Sequence, residues 1–72
     1  MYLLSQDKNN LIEFNRLEYT KLFGTHTLTA YTAGATNYAC VGSYESEEQA
    51  RAEFNRIMEA LRSGQTTVYE VR

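Results

Sequence analysis

One histidine and one cysteine are the side chains of this sequence best suited to nucleophilic or acid–base chemistry. To act as a general base, His26 would need an orienting carboxylate and a nucleophile, and only Glu18 and Cys40 lie on segments that could come near it. The strand pairing predicted below places both of them on the opposite sheet face from His26. Cys40 also has no cation beside it in sequence that would favour a reactive thiolate. We therefore expect His26 to be a surface residue beside a turn, Cys40 to be a buried or interface thiol, and the chain not to be an enzyme.

Motifs that hold metals, phosphates or cofactors do not occur in the chain. The sequence contains no GxGxxG, no GxxxxGK[ST] and no GxSxG. A single Cys and a single His cannot supply a zinc site within one chain, and the run 7–10 lacks the later Gly and acid of a calcium loop. The sequence therefore predicts no metal site and no cofactor.

Two arginines, Arg16 and Arg72, lie outside the predicted helix and lack the acidic partners that helical spacing gives to its arginines. If either lies beside Tyr31 or Tyr38 of a neighbouring subunit, the guanidinium could bind a phosphate while a tyrosine ring stacks on a base. The predicted ligand-binding residues are therefore Arg16, Tyr31, Tyr38 and Arg72.

Length and charge restrict the classes of protein further. With 72 residues the chain is expected to be a single domain over 1–72, with one thin core. A net charge of −2 and a pI near 5.2 do not fit general nucleic-acid binding, which needs a basic surface. No apolar run is long enough for a membrane helix, and the start of the chain does not resemble a signal peptide. One cysteine cannot form an intrachain disulfide, which fits a cytoplasmic protein.

The hydrophobic pattern predicts an α+β fold, in which a small antiparallel sheet of about four to five strands packs one helix on one face. Gly24-Thr25 and Gly34-Ala35 are Gly-X pairs that predict two-residue hairpin turns, so the middle of the chain forms a three-stranded meander. A C-terminal strand follows the helix. The predicted strands are Tyr2–Ser5, Leu11–Phe14, Leu17–Phe23, Thr27–Ala33, Asn37–Tyr44 and Thr66–Val71.

The helix is predicted by its ends as well as by its apolar stripe. Ser46 is a favourable N-cap, Gln49 completes a capping box, and Gly64 suits the left-handed position after the last turn. Between them, apolar residues recur at helical spacing and predict one buried stripe. That stripe contains Ala50, Phe54, Ile57, Met58 and Leu61.

The two faces of the predicted meander differ in composition. Leu28 opposite Val41 and Ala30 opposite Ala39 mark the side on which the helix packs. The predicted core is Leu17, Phe23, Leu28, Val41, Phe54, Ile57, Met58 and Leu61. The other side carries Glu18, Thr20, Leu22, Thr29, Tyr31, Tyr38 and Cys40.

A single helix can cover only one face of the sheet, so the second face is open to two interpretations. It is either a solvated face of good strand formers or an oligomer interface made by Thr29, Tyr31, Tyr38 and Cys40. Six tyrosines in 72 residues favour an interface, because Tyr buries its ring while its hydroxyl stays hydrogen-bonded.

The opening MYLLSQD and the later YESEEQARAEFNRIMEAL, separated by a β meander, are similar to short uncharacterised proteins of Gram-positive bacteria and their phages. Those proteins share a strand leading into Ser-Gln-Asp and a Tyr-x-Ser/Thr-Glu-Glu helix entry. The resemblance implies a phage or mobile-element accessory protein that acts by stoichiometric binding in the host cytoplasm.

Two binding functions agree with these patterns. The first is an anti-defence-like protein that sequesters a small anionic or nucleotide-like ligand at the interface of a homo-oligomer. The alternative is an inhibitor or adaptor that binds a host protein through the tyrosine-rich sheet face or a sheet edge.

Overall fold

The computed structural model describes residues 1–33 and 37–72, and it confirms the α+β fold. Most strands begin or end within two residues of their predicted bounds. In chain order the elements are β1 (Tyr2–Leu4), β2 (Leu11–Glu13), β3 (Arg16–Leu22), β4 (Thr25–Tyr31), β5 (Tyr38–Tyr44), α1 (Glu47–Ser63) and β6 (Val68–Glu70).

The strands form two three-stranded sheets, with the orders β2-β1-β6 and β3-β4-β5. The second sheet is the predicted antiparallel meander. In the first, β1 pairs antiparallel with β2 and parallel with the C-terminal strand β6. The sheets meet where Asn15 N donates to Tyr31 O (3.0 Å) and Gln6 N donates to Val41 O (2.7 Å). The C-terminal strand therefore joins the start of the chain and not the meander.

The first hairpin turn is Phe23-Gly24, one residue earlier than the predicted Gly24-Thr25. Leu22 pairs with Thr25, and the φ angles of 51° at Phe23 and 79° at Gly24 are both positive, as in a type I′ turn. The predicted turn would have placed Lys21 opposite Leu28, whereas the observed register places Tyr19 there. Apolar pairing on the buried face therefore explains the shift.

The shift moves the pairing by two positions, so every side chain keeps its predicted face. Phe23 is the exception, because it now lies in the turn and its side chain is 97% exposed. The prediction that Phe23 belongs to the core is therefore wrong.

The second hairpin keeps the predicted pairs Tyr31–Tyr38, Ala30–Ala39 and Thr29–Cys40. A β-bulge between Leu28 and Thr29 then places Leu28 opposite Gly42. The predicted pairing of Leu28 with Val41 is therefore wrong. The predicted Gly34-Ala35 turn lies outside the described residues.

Local hydrogen bonds at the ends of α1 confirm the predicted caps. Gln49 N donates to Ser46 Oγ (3.2 Å), and Gln49 Oε1 accepts from Glu45 N (3.2 Å). Gly64 follows the helix with a φ of 68°. In the described part of the chain, no helix combines the length and the apolar character needed to cross a membrane.

The core lies where α1 and the two sheets meet. Leu28, Val41 and Ile57 are buried as predicted, whereas Leu61, in the last turn of α1, is 46% exposed. Leu17, Phe54 and Met58 are half-buried. The small sheet and the residue after it contribute side chains that were not predicted to be in the core. The buried apolar residues are Leu3, Leu28, Ala30, Val41, Ala50, Ile57 and Val71.

We expect Phe23→Asn to raise the free energy of unfolding by about 0.5–1 kcal/mol, measured by urea denaturation. Asn tolerates positive φ better than Phe, and an exposed ring contributes little burial. Gly24→Ala is the matched control at the next position, where no atom lies within 4 Å of an added Cβ. Alanine at φ 79° should lower stability by about 1 kcal/mol through backbone strain alone. A loss of stability in Phe23→Asn would show that the ring contributes to the fold.

Candidate functional site

The face of the β3-β4-β5 sheet that α1 leaves uncovered is the candidate site, and we call it the outer face. Alternation along each strand sends Leu28 and Ala30 into the core and their neighbours outward. The residues predicted to form an oligomer interface all lie on this outer face. It consists of Arg16, Glu18, Thr20, Leu22, Thr25, Thr27, Thr29, Tyr31, Tyr38 and Cys40.

A tyrosine pair forms one end of the outer face. The rings of Tyr31 and Tyr38 lie 5.6 Å apart between centroids, at an interplanar angle of 36°. Tyr38 is 67% exposed, whereas Tyr31 is half-buried. The half-buried ring of Tyr31 therefore supports the exposed ring of Tyr38, which can pack against another molecule.

Arg16 covers the other side of Tyr31, with its guanidinium carbon 4.5 Å from the ring centroid. It also forms an ion pair with Glu18, and Glu18 Oε1 accepts a hydrogen bond from the Tyr31 hydroxyl (3.1 Å). The structure thus gives Arg16 an acidic partner that was not predicted. A helix brings together residues three or four apart, whereas residues two apart share a face of a strand.

These contacts shift the pKa values within the cluster. Hydrogen bonds from Arg16 and Tyr31 lower the pKa of the Glu18 carboxyl. The hydrogen bond to Glu18, together with partial burial, raises the pKa of the Tyr31 phenol. The cluster therefore contains one positive and one negative charge at neutral pH, and it has no net charge with which to attract a phosphate.

Arg72 lies elsewhere, between α1 and the start of the chain. Its backbone N donates to Glu53 Oε2 (2.7 Å), and its carbonyl O accepts from Gln6 Nε2 (3.0 Å). The structure brings Arg16, Tyr31 and Tyr38 together but places Arg72 beside the helix. There it lines a cleft of about 520 Å³, whose other lining residues are Gln6, Ser43, Tyr44, Glu45, Gln49, Ala52 and Arg56.

A fully buried carboxylate, that of Glu53, lies next to this cleft. Besides the amide of Arg72, it accepts hydrogen bonds from Arg56 Nε (2.6 Å) and the Tyr69 hydroxyl (3.0 Å). Glu53 was not predicted to be buried, although it follows Ala50 by three residues and precedes Ile57 by four. That spacing places it within the buried stripe of the helix.

The Tyr44 hydroxyl is also buried, and it has no hydrogen-bond partner within the described residues. Burial and, less strongly, the charge of Glu53 raise the pKa of Tyr44 to about 12. The phenol therefore stays neutral at physiological pH. Its ring also lies over Gly42, where any added Cβ would collide with it.

The residues considered for catalysis remain apart. His26 lies on the inner side, half-buried, with Nδ1 2.7 Å from the Tyr19 hydroxyl oxygen and the two rings stacked. Cys40 is exposed on the outer face. Within residues 1–33 and 37–72, no three His, Cys, Asp or Glu side chains are grouped in a way that could hold a metal ion.

Comparisons of the chain with protein-family models, curated proteins and solved structures give no match. Its function is therefore inferred from the geometry of the outer face and of the cleft.

We expect Glu18→Gln to lower the pKa of Tyr31 toward 10.0, the ordinary value of a tyrosine. The variant removes the charged acceptor that stabilises the protonated phenol, and the pKa of Tyr31 is read from an NMR pH titration of the tyrosine ring carbons. Glu59→Gln, in the exposed pair with Arg62 on α1, should leave the value unchanged. An unaltered Tyr31 pKa in Glu18→Gln would contradict the hydrogen bond.

A second prediction concerns the buried carboxylate. Glu53→Gln should lower the free energy of unfolding by about 2–4 kcal/mol, because a neutral amide replaces an acceptor of three hydrogen bonds and leaves donors imperfectly paired. In Glu59→Gln, whose pair is exposed, the change should stay within about 0.5 kcal/mol. Urea denaturation measures both, and similar small losses in the two variants would show that the charge of Glu53 is dispensable.

Proposed function

We propose that the protein is a non-catalytic binding protein that contacts a protein partner through its outer face, as an inhibitor or adaptor. The observation that carries this proposal is the exposed ring of Tyr38 supported by the half-buried Tyr31. Tyrosine is enriched in protein interfaces, since it buries a large rigid ring at little cost in conformational entropy.

The charge of the outer face favours a protein partner over an anion. Arg16 is paired with Glu18, and Glu18 also accepts from Tyr31. A phosphate placed beside Arg16 would have to displace this carboxylate or bind next to it. A protein surface, in contrast, can cover a neutral aromatic patch without meeting that repulsion.

The biological setting of the proposal rests on the resemblance described above. The Ser5-Gln6-Asp7 start and the Tyr44–Glu48 helix entry resemble those of short proteins from Gram-positive bacteria and their phages. In that setting the partner would be a host protein of the cytoplasm, and the binding would have an anti-defence role.

A second candidate function is the sequestration of a small anionic or nucleotide-like ligand in the cleft beside α1. Arg72 and Arg56 both line this cleft, and its volume of about 520 Å³ lies in the range of small-molecule sites. Arg56 is paired with Glu53, whereas Arg72 forms no salt bridge within the described part of the chain. The site is therefore carried by Arg72, and it lies away from Tyr31 and Tyr38.

Tyr38→Glu should weaken binding of the protein partner by about 30-fold or more, which is the loss typical of a central interface residue. The partner is purified on the immobilised wild-type chain, and its affinity for each variant is then measured by biolayer interferometry. Tyr2→Glu is the matched control, because Tyr2 is also partly exposed but lies on β1 of the other sheet. Equal weakening by the two variants would contradict a contact on the outer face.

Thermal melting in the presence of inorganic phosphate and of nucleotides separates the second candidate from the first. A ligand that binds only the folded state raises the melting temperature. A rise that disappears in Arg72→Gln but persists in Tyr38→Glu would favour sequestration in the cleft. We expect neither phosphate nor nucleotides to produce a shift.

A further inference from the structure

The outer face ends in an exposed apolar hairpin tip. Leu22 and Phe23 are 56% and 97% exposed, and Phe23 has a left-handed φ of 51°. Such a backbone conformation is unfavourable for a bulky residue, and burial within the chain does not compensate for it. A strained and fully exposed aromatic residue at a loop tip is suited to burial against another molecule.

The tyrosine pair lies at the other end of the same face. Strand β3 runs from Arg16, which is opposite Tyr31, to Leu22 beside the turn. The tyrosine pair and the hairpin tip are therefore about 20 Å apart. Between them lie Thr20, Thr27 and Thr29, which carry no charge. The outer face therefore has one apolar group at each end and a neutral polar centre.

We infer that the partner that this face fits is a second copy of the same chain. If two outer faces pack about a two-fold axis that crosses the strands, the Leu22–Phe23 tip of each copy lies over the Tyr31–Tyr38 end of the other. One arrangement then buries both apolar ends of both copies, as an isologous interface requires. The inference rests on the proposed function, because it takes the outer face to be a protein-contact surface and names the protein.

The charges of the face are compatible with this pairing. Each chain has a net charge of −2, which would make two copies repel weakly at long range. On the face itself, however, Arg16 and Glu18 neutralise each other. Two such faces therefore meet without like charges directly opposed.

The size of the face predicts a weak and reversible dimer. Three seven-residue strands make a surface about 23 Å long and 14 Å wide, or on the order of 300 Å² of flat area per copy. Two copies together offer about 600 Å² of flat area, which lies below the limit of about 1,200 Å² for stable specific interfaces and in the range of weak, transient contacts. We therefore expect a dissociation constant in the micromolar range, about 1–100 μM.

A membrane surface suits the tip less well. Lipid-binding tips and helices combine apolar residues with several cations, whereas the adjoining cation here is Lys21 alone. A cleft of about 370 Å³ beside the turn is lined by Glu45 together with Gly24 and Thr25. The carboxylate of Glu45 would be repelled by anionic lipid headgroups.

Sedimentation velocity of the whole chain from 1 μM to 1 mM tests the dimer. We expect the wild type to change from monomer to dimer, and we expect Phe23→Asn and Tyr38→Glu to raise the dissociation constant at least 10-fold. Leu61→Asn is the matched control, since it removes an exposed leucine of α1 that does not belong to the outer face. Circular dichroism and urea denaturation establish that each variant is folded.

The exposed thiol of Cys40 provides a second measurement on the same face. Its reaction with a maleimide should slow as the wild type is concentrated, but not as Phe23→Asn is concentrated. A thiol that reacts equally fast at all concentrations in a dimeric wild type would place the dimer contact elsewhere and overturn the inference.

Three other results would overturn the inference, and each bears differently on the proposed function. A wild type that stays monomeric at 1 mM, yet binds a different protein in a manner that depends on Tyr38, refutes the dimer and leaves the proposed function standing. A monomer that binds no protein through Tyr38, or only floats with phosphatidylcholine vesicles, refutes both. A dimer that persists in Phe23→Asn and Tyr38→Glu refutes the arrangement on the outer face.

Discussion

The fold depends on the buried carboxylate of Glu53, which joins the helix to the C-terminal strand and to the residues that follow that strand. Its hydrogen bonds reach Tyr69 within β6 and the backbone of Arg72 beyond it. β6 in turn pairs with β1, and strands of three residues are too short to form a sheet that is stable alone. An ionised carboxylate in this position is tolerated only because each of its oxygens accepts hydrogen bonds. The same contacts therefore satisfy the buried charge and fix the small sheet against the helix.

That arrangement explains why the outer face is free. Leu3 from β1 and Val71 after β6 join Leu28, Val41 and Ile57 in one core, so the helix and the small sheet are both used on the inner side of the meander. Within residues 1–33 and 37–72, α1 and the small sheet are the elements outside the meander, and neither covers its other side. The outer face consequently retains groups that contribute little to the core, and its tyrosines are available for binding.

The parts of the structure predictable from sequence are those determined by local interactions. The helix ends at Ser46 and Gly64 follow from capping chemistry within a few residues. The faces of the meander were predicted in spite of a misplaced turn, because alternation depends only on whether the register shifts by an odd or an even number. The pairing of β1 with β6 was not predictable in this way, since it joins residues more than 60 positions apart and leaves no periodic signal in between. The ion pair of Arg16 with Glu18 could have been found by applying the two-residue spacing of a strand.

Within residues 1–33 and 37–72, two non-glycine residues have left-handed φ angles, and they differ in how the fold uses them. At Lys8 the angle is 67°, and the surrounding turn is closed by hydrogen bonds from Lys8 N to Ser5 O (2.9 Å) and from Ser5 Oγ to Asp7 (2.6 Å). Its side chain also forms an ion pair with Glu70 of β6, so the strained residue links two elements. Phe23 has the same kind of backbone, but its ring is almost fully exposed and belongs to no core contact. Local rules are broken at both positions, but only at Lys8 does the side chain itself make contacts that provide compensation. At Phe23 the compensation within the chain is the register that the turn sets, which places Tyr19 opposite Leu28 without involving the Phe23 ring. Because the fold requires the turn and not the ring, the hairpin tip is the exposed apolar group best suited to the intermolecular contact that we propose.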